Sequence, residues 1–288
     1  MAHIISVTNE KGGVGKTTTA QTLARELAKK NKVLLIDWDT QRTLTKGYNL
    51  EVVLGDSFNE YMLEHSSEKI FEREAVSPLD ITFILDEHVT CSKLKYKELH
   101  FLPSPGRILG KIADSARGGK DLMLKHYLKK IKEDYDYIII DSIPSSTTTL
   151  FSSSVVAADS ILVPIQTKHN AIMGANEFIE TVDEIISDYE IKYKNVFILP
   201  IMYNSQRTDD KAVLAEIQTD YLEFIATCDS ISKAEVTILP TIPERANFSK
   251  AQSFGYSVQD YTECFDKGNR DLLLTIENIV KKIKKMQG

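Results

Sequence analysis

Residues 9–19 read Asn-Glu-Lys-Gly-Gly-Val-Gly-Lys-Thr-Thr-Thr, directly after the apolar run Ile4-Ile5-Ser6-Val7. This order predicts a strand entering a glycine-rich turn and a helix leaving it with Lys16 and Thr17 at its start. Such a turn aims successive backbone N–H groups at one point and sets the positive end of a helix behind them, which makes a cradle for phosphate. Gly12, Gly13 and Gly15 are read as places where a Cβ would obstruct close approach of the main chain. Val14 and Thr18 complete the cradle. Lys16 is placed to reach the β- and γ-phosphates of a nucleotide, and the Thr17 hydroxyl to ligate Mg2+.

The common phosphate-loop pattern has glycine where Glu10 stands, and Lys11 supplies a second lysine at the loop's start. Lys-Gly-Gly-Val-Gly-Lys-Thr-Thr over residues 11–18 resembles the deviant Walker A motif of the ParA/MinD superfamily. The resemblance implies that Lys11 reaches across a dimer interface to the nucleotide of the partner subunit.

Working outward, Val33-Leu34-Leu35-Ile36-Asp37-Trp38-Asp39-Thr40-Gln41 places two carboxylates on the same side of a strand end. Carboxylates beside a triphosphate are useful when a metal or a water lies between. In the ParA/MinD family the corresponding segment runs Asp-x-Asp-Pro-Gln. By that resemblance Asp37 helps hold the Mg2+ hydration shell and Asp39 positions the attacking water; Thr40 replaces the family's proline. Tyr137-Ile138-Ile139-Ile140-Asp141 reads as a buried strand delivering one carboxylate to Mg2+, the Walker B role. Further matches are Val163-Pro164-Ile165-Gln166-Thr167, the base-side segment around Asn204, and Thr241-Ile242-Pro243-Glu244-Arg245, in which Pro243 and Glu244 fall on the adenine side. Ser249-x-Ala251-x-Ser253-x-Gly255 continues that last segment. Many chromosomal members carry basic, DNA-contacting residues where Glu244 and Asn247 stand, and Lys250 and Arg245 are the candidates to compensate.

The chain has 288 residues, 42% of them apolar, and a net charge of −6. The molecule is therefore no polybasic nucleic-acid binder, and DNA contact needs a local patch. Cys91, Cys228 and Cys264 are widely spaced with no Cys-x-x-Cys, which argues against a zinc site or redox pair and reads as free thiols. No signal peptide and no apolar run near 18 residues is evident, so a cytoplasmic location is expected.

Apolar runs at Ile4–Val7, Val33–Asp37, Leu99–Leu102, Tyr137–Asp141, Ile161–Ile165, Val196–Tyr203 and Val236–Leu239 alternate with helical patterns, including 121–133, 176–187 and 209–227. That alternation predicts an α/β fold, a doubly wound, mostly parallel sheet with helices on both faces and ligands at the carboxyl ends of the strands. Residues 51–120 are less regular and read as two or three short helices besides the strand at 99–102. Residues 1–288 are taken as one ATPase domain. Leu272, Ile276, Ile279, Ile283 and Met286 form an apolar stripe on a C-terminal helix, with Lys281, Lys282, Lys284 and Lys285 off it. Packing of the stripe against the body is the expected fate.

The resemblance is to the small ParA type, with no room before His3 for a helix-turn-helix. Gln41 fits the ParA branch, and the run through Gln252-Ser253-Phe254-Gly255 looks plasmid-like. It implies a dimerising partition ATPase with ATP and Mg2+ as cofactors. In its ATP state it binds nonspecific double-stranded DNA, and a centromere-binding ParB-like adaptor stimulates hydrolysis to drive segregation on the nucleoid. Two alternatives stand beside it: a MinD-like ATPase anchored to membrane by the C-terminal helix, and a nucleotide-dependent scaffold with incidental hydrolysis.

Overall fold

The computed structural model describes residues 1–48, 50–74, 76–82, 94–115, 118–168, 171–253 and 256–286. Cys91, Phe254 and Gly255, singled out above, lie outside the described residues. The strands β1 (His3–Val7), β2 (Lys32–Trp38), β3 (Leu79–Asp80), β4 (Glu98–Leu102), β5 (Tyr137–Ser142), β6 (Ser160–Gln166), β7 (Asn195–Ile201) and β8 (Glu235–Ile238) join in one sheet. Its order is β3-β4-β2-β5-β1-β6-β7-β8, parallel except for β3. Central strands carry near-continuous Ile, Leu and Val because both faces are covered. Alternate residues serve opposite layers: Leu34, Ile36, Ile138 and Ile140 enter one core, while Val33, Leu35, Ile139 and Leu162 enter the other.

The second core is covered by α1 (Lys16–Ala28), whose Ala20, Leu23, Ala24 and Leu27 form the buried stripe read from sequence. Three short helices follow β2, namely α2 (Thr43–Gly47), α3 (Leu50–Leu54) and α4 (Phe58–His65), and then α5 (Lys69–Glu72). On the first core lie α6 (Arg107–Ser115), α7 (Met123–Ile131), α8 (Thr149–Ala157) and α9 (Ala171–Asp188). The single helix expected over 209–227 is two, α10 (Thr208–Gln218) and α11 (Asp220–Thr227). Thr219 breaks the run at φ −118° and ψ −82°, where its hydroxyl bonds back to the Ala215 carbonyl. β7 stops at Ile201, short of the expected Tyr203, because Met202 turns to φ 57° and leaves the ladder.

The chain closes with α12 (Ala246–Ser253), α13 (Val258–Phe265) and α14 (Arg270–Lys285). Leu272, Ile276, Ile279, Val280 and Ile283 of α14 are buried in the same core as α1. Each such side chain contributes on the order of 1.5–3 kcal/mol relative to exposure. The stripe is thus packed against the body as expected, while Leu274 on the other side of α14 stays exposed. No helix among the described residues is long and apolar enough to cross a membrane. The thiol expectation needs one correction: Cys228 is free, but Cys264 is disulfide-bonded.

Candidate active site

The loop after β1 lies where the strand order reverses, since β1 is flanked by β5 on one side and β6 on the other. Asn9 begins it. Its side-chain amide donates to the Pro164 carbonyl (2.8 Å) and its oxygen accepts the Lys11 N–H (2.9 Å), so β6 sets the angle at which the loop departs. Gly13 and Gly15 adopt φ 74° and 72°, which explains glycine there, and a Cβ on Gly15 would sit 3.2 Å from Ile201 Cδ1. Gly12 differs from expectation: nothing lies within 4 Å of its Cβ position, so its smallness serves no contact inside the protein. Val14 is buried and anchors the loop. The Gln166 amide donates to the Gly13 carbonyl (2.9 Å), and Ser146, after β5, donates its hydroxyl to Glu10.

Lys16 opens α1 and is buried, its ammonium bonded to the Lys11 carbonyl at 3.0 Å. Burial pulls its pKa down to about 8, against the attraction of Asp141 and Asp39. Lys11 is exposed. Its backbone N–H and carbonyl are bonded to Asn9 and Lys16, and it is not among the residues that line the cavity its loop encloses.

Asp37 and Asp141 are register partners on adjacent parallel strands, a pairing invisible in either motif alone. Both are buried, yet their oxygens fare differently. Asp37 accepts the Thr45 N–H (2.8 Å), the Thr45 hydroxyl (2.6 Å) and the Asp39 N–H (3.2 Å). Burial raises its pKa to about 6 in spite of those donors. Both oxygens of Asp141 lack a donor at bonding geometry. Burial and the Asp37 charge push its carboxyl well above the usual range, and the nearby Thr17 hydroxyl offsets this only in part. Two bare carboxylate oxygens beside a hydroxyl and a loop of backbone amides suit a hard divalent cation next to phosphate. Asp141 and Thr17 are thus the residues that would hold Mg2+. Asp37, expected to help hold the Mg2+ hydration shell, also braces the site through the bonds its oxygens accept from Thr45 and Asp39.

Asp39 reaches the cavity with one oxygen tied to the Gln41 N–H (3.0 Å). Burial raises its carboxyl, with Gln41 and Lys16 opposing. The cavity measures about 640 Å3 and is lined by Gly13, Gly15, Lys16, Thr17, Thr18 and Asp39 at one end, and by Met202, Pro243 and Glu244 at the other. Ser249, read as continuing the adenine-side segment, lines it too, as do Thr43 and Phe248, whose types carry no motif and which sequence reading missed. Asn204 does not line it: its side-chain oxygen accepts the Gln206 N–H (2.9 Å) and its own N–H donates to Asp210 (2.8 Å), an internal turn brace. Glu244 pairs with Arg207 at 2.8 Å, and Arg245 with Asp271 at 2.9 Å. Asn247 is buried against Thr262 (3.0 Å), which removes it from any surface contact.

A family model described as an AAA domain, AAA_31, matches residues 2–196. The chain is 26% identical over 258 residues to the chromosome-partitioning ATPase Soj of Thermus thermophilus, covering 89% of this chain and 87% of that one. The chain belongs to the ParA/MinD family of ATPases. The fold of this ParA/MinD-family chain is also that of McdA from Cyanothece, with TM-score 0.72, 22% identity and full coverage of both chains. A structure named as a plasmid partition protein of Borrelia burgdorferi, bound to AMPPNP, matches with TM-score 0.66 and 22% identity, covering 94% of this chain and 100% of that one. Solved relatives hold ATP, or an ATP analogue together with magnesium. The protein is an ATP hydrolase, with ATP as its nucleotide.

Proposed function

We propose that the whole chain acts as one partition ATPase unit whose ATP-bound form is a homodimer on nonspecific double-stranded DNA. The observation that carries this reading is the division of labour between the two lysines. Lys16 is buried beside Asp141 and Asp39, whereas Lys11 is exposed at the start of the same loop and does not line the cavity. A cation exposed there is free to meet the phosphates of a nucleotide held by a second subunit. Packing two uncompensated lysines into an interface is unfavourable, so closure depends on triphosphate in both subunits. Gly13, Gly15, Lys16, Thr17 and Thr18 hold the phosphates of each subunit's own nucleotide, with the base directed toward Pro243 and Glu244. Asp39 orients the attacking water. Mg2+, when bound, neutralises phosphate charge next to Asp141 and Thr17.

DNA contact is sequence-independent and falls to lysines outside the paired set. Arg245 is engaged with Asp271, Asn247 is buried and Lys284 lies over the Tyr137 ring, so exposed Lys250 and Lys285 are the candidates. Affinity then falls steeply with salt, by roughly 0.9 in log K per log salt for each phosphate neutralised. A centromere-binding, ParB-like adaptor stimulates hydrolysis and releases the dimer from DNA, which places the protein on the nucleoid in the cytoplasm. The relatives named for chromosome partitioning and plasmid partition support the segregation role. Sedimentation of Lys11→Ala with ATP and Mg2+ tests the reading: ATP affinity stays within about threefold while dimers disappear. Normal ATP-dependent dimers in that variant would overturn it.

A further inference from the structure

We infer that Ser104, together with Thr45 and Asp37, positions Asp39 for hydrolysis. The inference rests on the role assigned to Asp39 above. Asp39 follows β2 in a turn, where a carboxylate would ordinarily sample several directions. Here its backbone N–H and carbonyl are both held, the carbonyl in part by a distant residue. Its N–H donates to Asp37 Oδ1 (3.2 Å), and its carbonyl accepts the Ser104 hydroxyl (2.8 Å) and the Arg42 N–H (3.2 Å). One side-chain oxygen accepts the Gln41 N–H. The second oxygen has no hydrogen bond among the described residues and is the one left to meet a water.

Ser104 lies 65 residues downstream of Asp39, in the loop after β4. Its N–H donates to Thr45 Oγ1 (3.0 Å), whose own proton goes to Asp37 Oδ2, and its hydroxyl accepts the Gly106 N–H (3.1 Å). Ser104 and Asp37 are fully buried, Thr45 nearly so. Gly106 adds steric closure: at φ 82°, a Cβ there would sit 2.7 Å from Arg42 Cδ. The chain Asp37–Thr45–Ser104–Asp39 is thus a closed polar ring with its donors and acceptors used internally. Such a ring, formed before substrate arrives, removes the cost of ordering the carboxylate during the reaction. The two loops that carry it are brought together by the β2–β4 pairing.

The test compares Ser104→Ala, Thr45→Val, Thr45→Ser, Asp39→Ala and the Ser104→Ala/Asp39→Ala double variant. Steady-state ATP hydrolysis and amide hydrogen exchange of the nucleotide-free protein are read for each. Ser104→Ala and Thr45→Val are expected to lower kcat about ten- to a hundredfold with KM within about threefold, and to speed exchange at the Gln41 and Thr45 amides. Thr45→Ser, which keeps the oxygen, restores kcat to within about threefold of wild type. The double variant is expected to be no slower than Asp39→Ala, because a group acting through Asp39 has nothing left to position. Additive losses, or a Ser104→Ala enzyme with normal kcat beside an inactive Asp39→Ala, would overturn the inference. Wild-type turnover by Asp39→Ala would instead remove the role of Asp39 itself, and the inference with it. If Ser104→Ala does not fold, the Thr45 pair decides on the same readings.

Discussion

Two regions bury ionisable groups on α1, and they treat charge in opposite ways. At its C-terminal half, Arg25 pairs with Asp260 of α13. Asp260 is also bonded by the Ser257 hydroxyl (2.6 Å) and the Tyr96 hydroxyl (3.1 Å), and the Arg25 guanidinium lies over the rings of Tyr48 and Tyr96 at 5.4 and 5.7 Å. At its N-terminus, Lys16 is held only by a carbonyl, and Asp141 nearby keeps two oxygens without donors. The first cluster pairs its full charges, leaving only Arg25 Nε and the Tyr48 hydroxyl without a partner, and lies away from the cavity; the second leaves a carboxylate bare and lines about 640 Å3 of space. A buried charge satisfied by its own chain clasps the fold together, while one left wanting marks where a ligand supplies the rest.

The contrast breaks or sharpens by substitution. Asp260→Ala leaves Arg25 buried without its counter-ion, and stability in chemical denaturation should fall by about 3–5 kcal/mol; a loss below about 1 kcal/mol would make the clasp dispensable. Lys16→Ala should instead spare the fold and weaken ATP binding at least about a hundredfold, near 3 kcal/mol by titration calorimetry. Unchanged affinity would end the cradle assignment.

His3 sharpens the rule from outside both regions. It is buried at the start of β1 with Nε2 unpartnered, and burial lowers its pKa to about 4, with Asp159 opposing and Lys194 assisting. The unfolded chain takes up this proton below about pH 6.5 and the folded one only near pH 4, so stability is full above that window and falls as pH drops through it. His3→Asn should remove about 2 kcal/mol of the wild-type loss between pH 7 and pH 5; identical pH profiles would show that His3 titrates normally. An unpaired buried group that stays neutral thus marks no ligand site. The smallest effect carries the reverse sign: Asp141→Asn should stabilise the nucleotide-free protein by about 1 kcal/mol, while ATP binding loses its dependence on Mg2+. Destabilisation on the scale of Asp260→Ala would erase the distinction between the regions.

Much of the fold was legible because its signals are local. The run from Ile4 to Thr19 carries strand, turn and helix in one stretch, and seven of the strands announce themselves as apolar runs between turn residues. The two-residue β3 was not legible, since it exists only by pairing with β4. At the site, Lys16, Thr17, Asp39, Pro243 and Glu244 stand where the motifs put them, around one cavity. Asn204 was read toward the base but braces a turn outside the cavity lining, because residue type does not tell whether an amide faces a ligand or a neighbouring turn. Thr43 and Phe248 were missed because nothing in their spacing points to a cavity wall.

The sequence by itself determined that a phosphate-cradling loop leaves the first strand, that carboxylates end two others, and that α14 has an apolar stripe, for each is written within a few residues and follows from backbone geometry. Only the tertiary structure decided that Asp37 and Asp141 stand side by side with one satisfied and one bare, that Ser104 reaches back to Asp39, and that the stripe is covered by α1. These depend on strand register and on contacts spanning 65 to over 200 residues, where the outcome is set by which groups crossover connections bring together and how far each is removed from water.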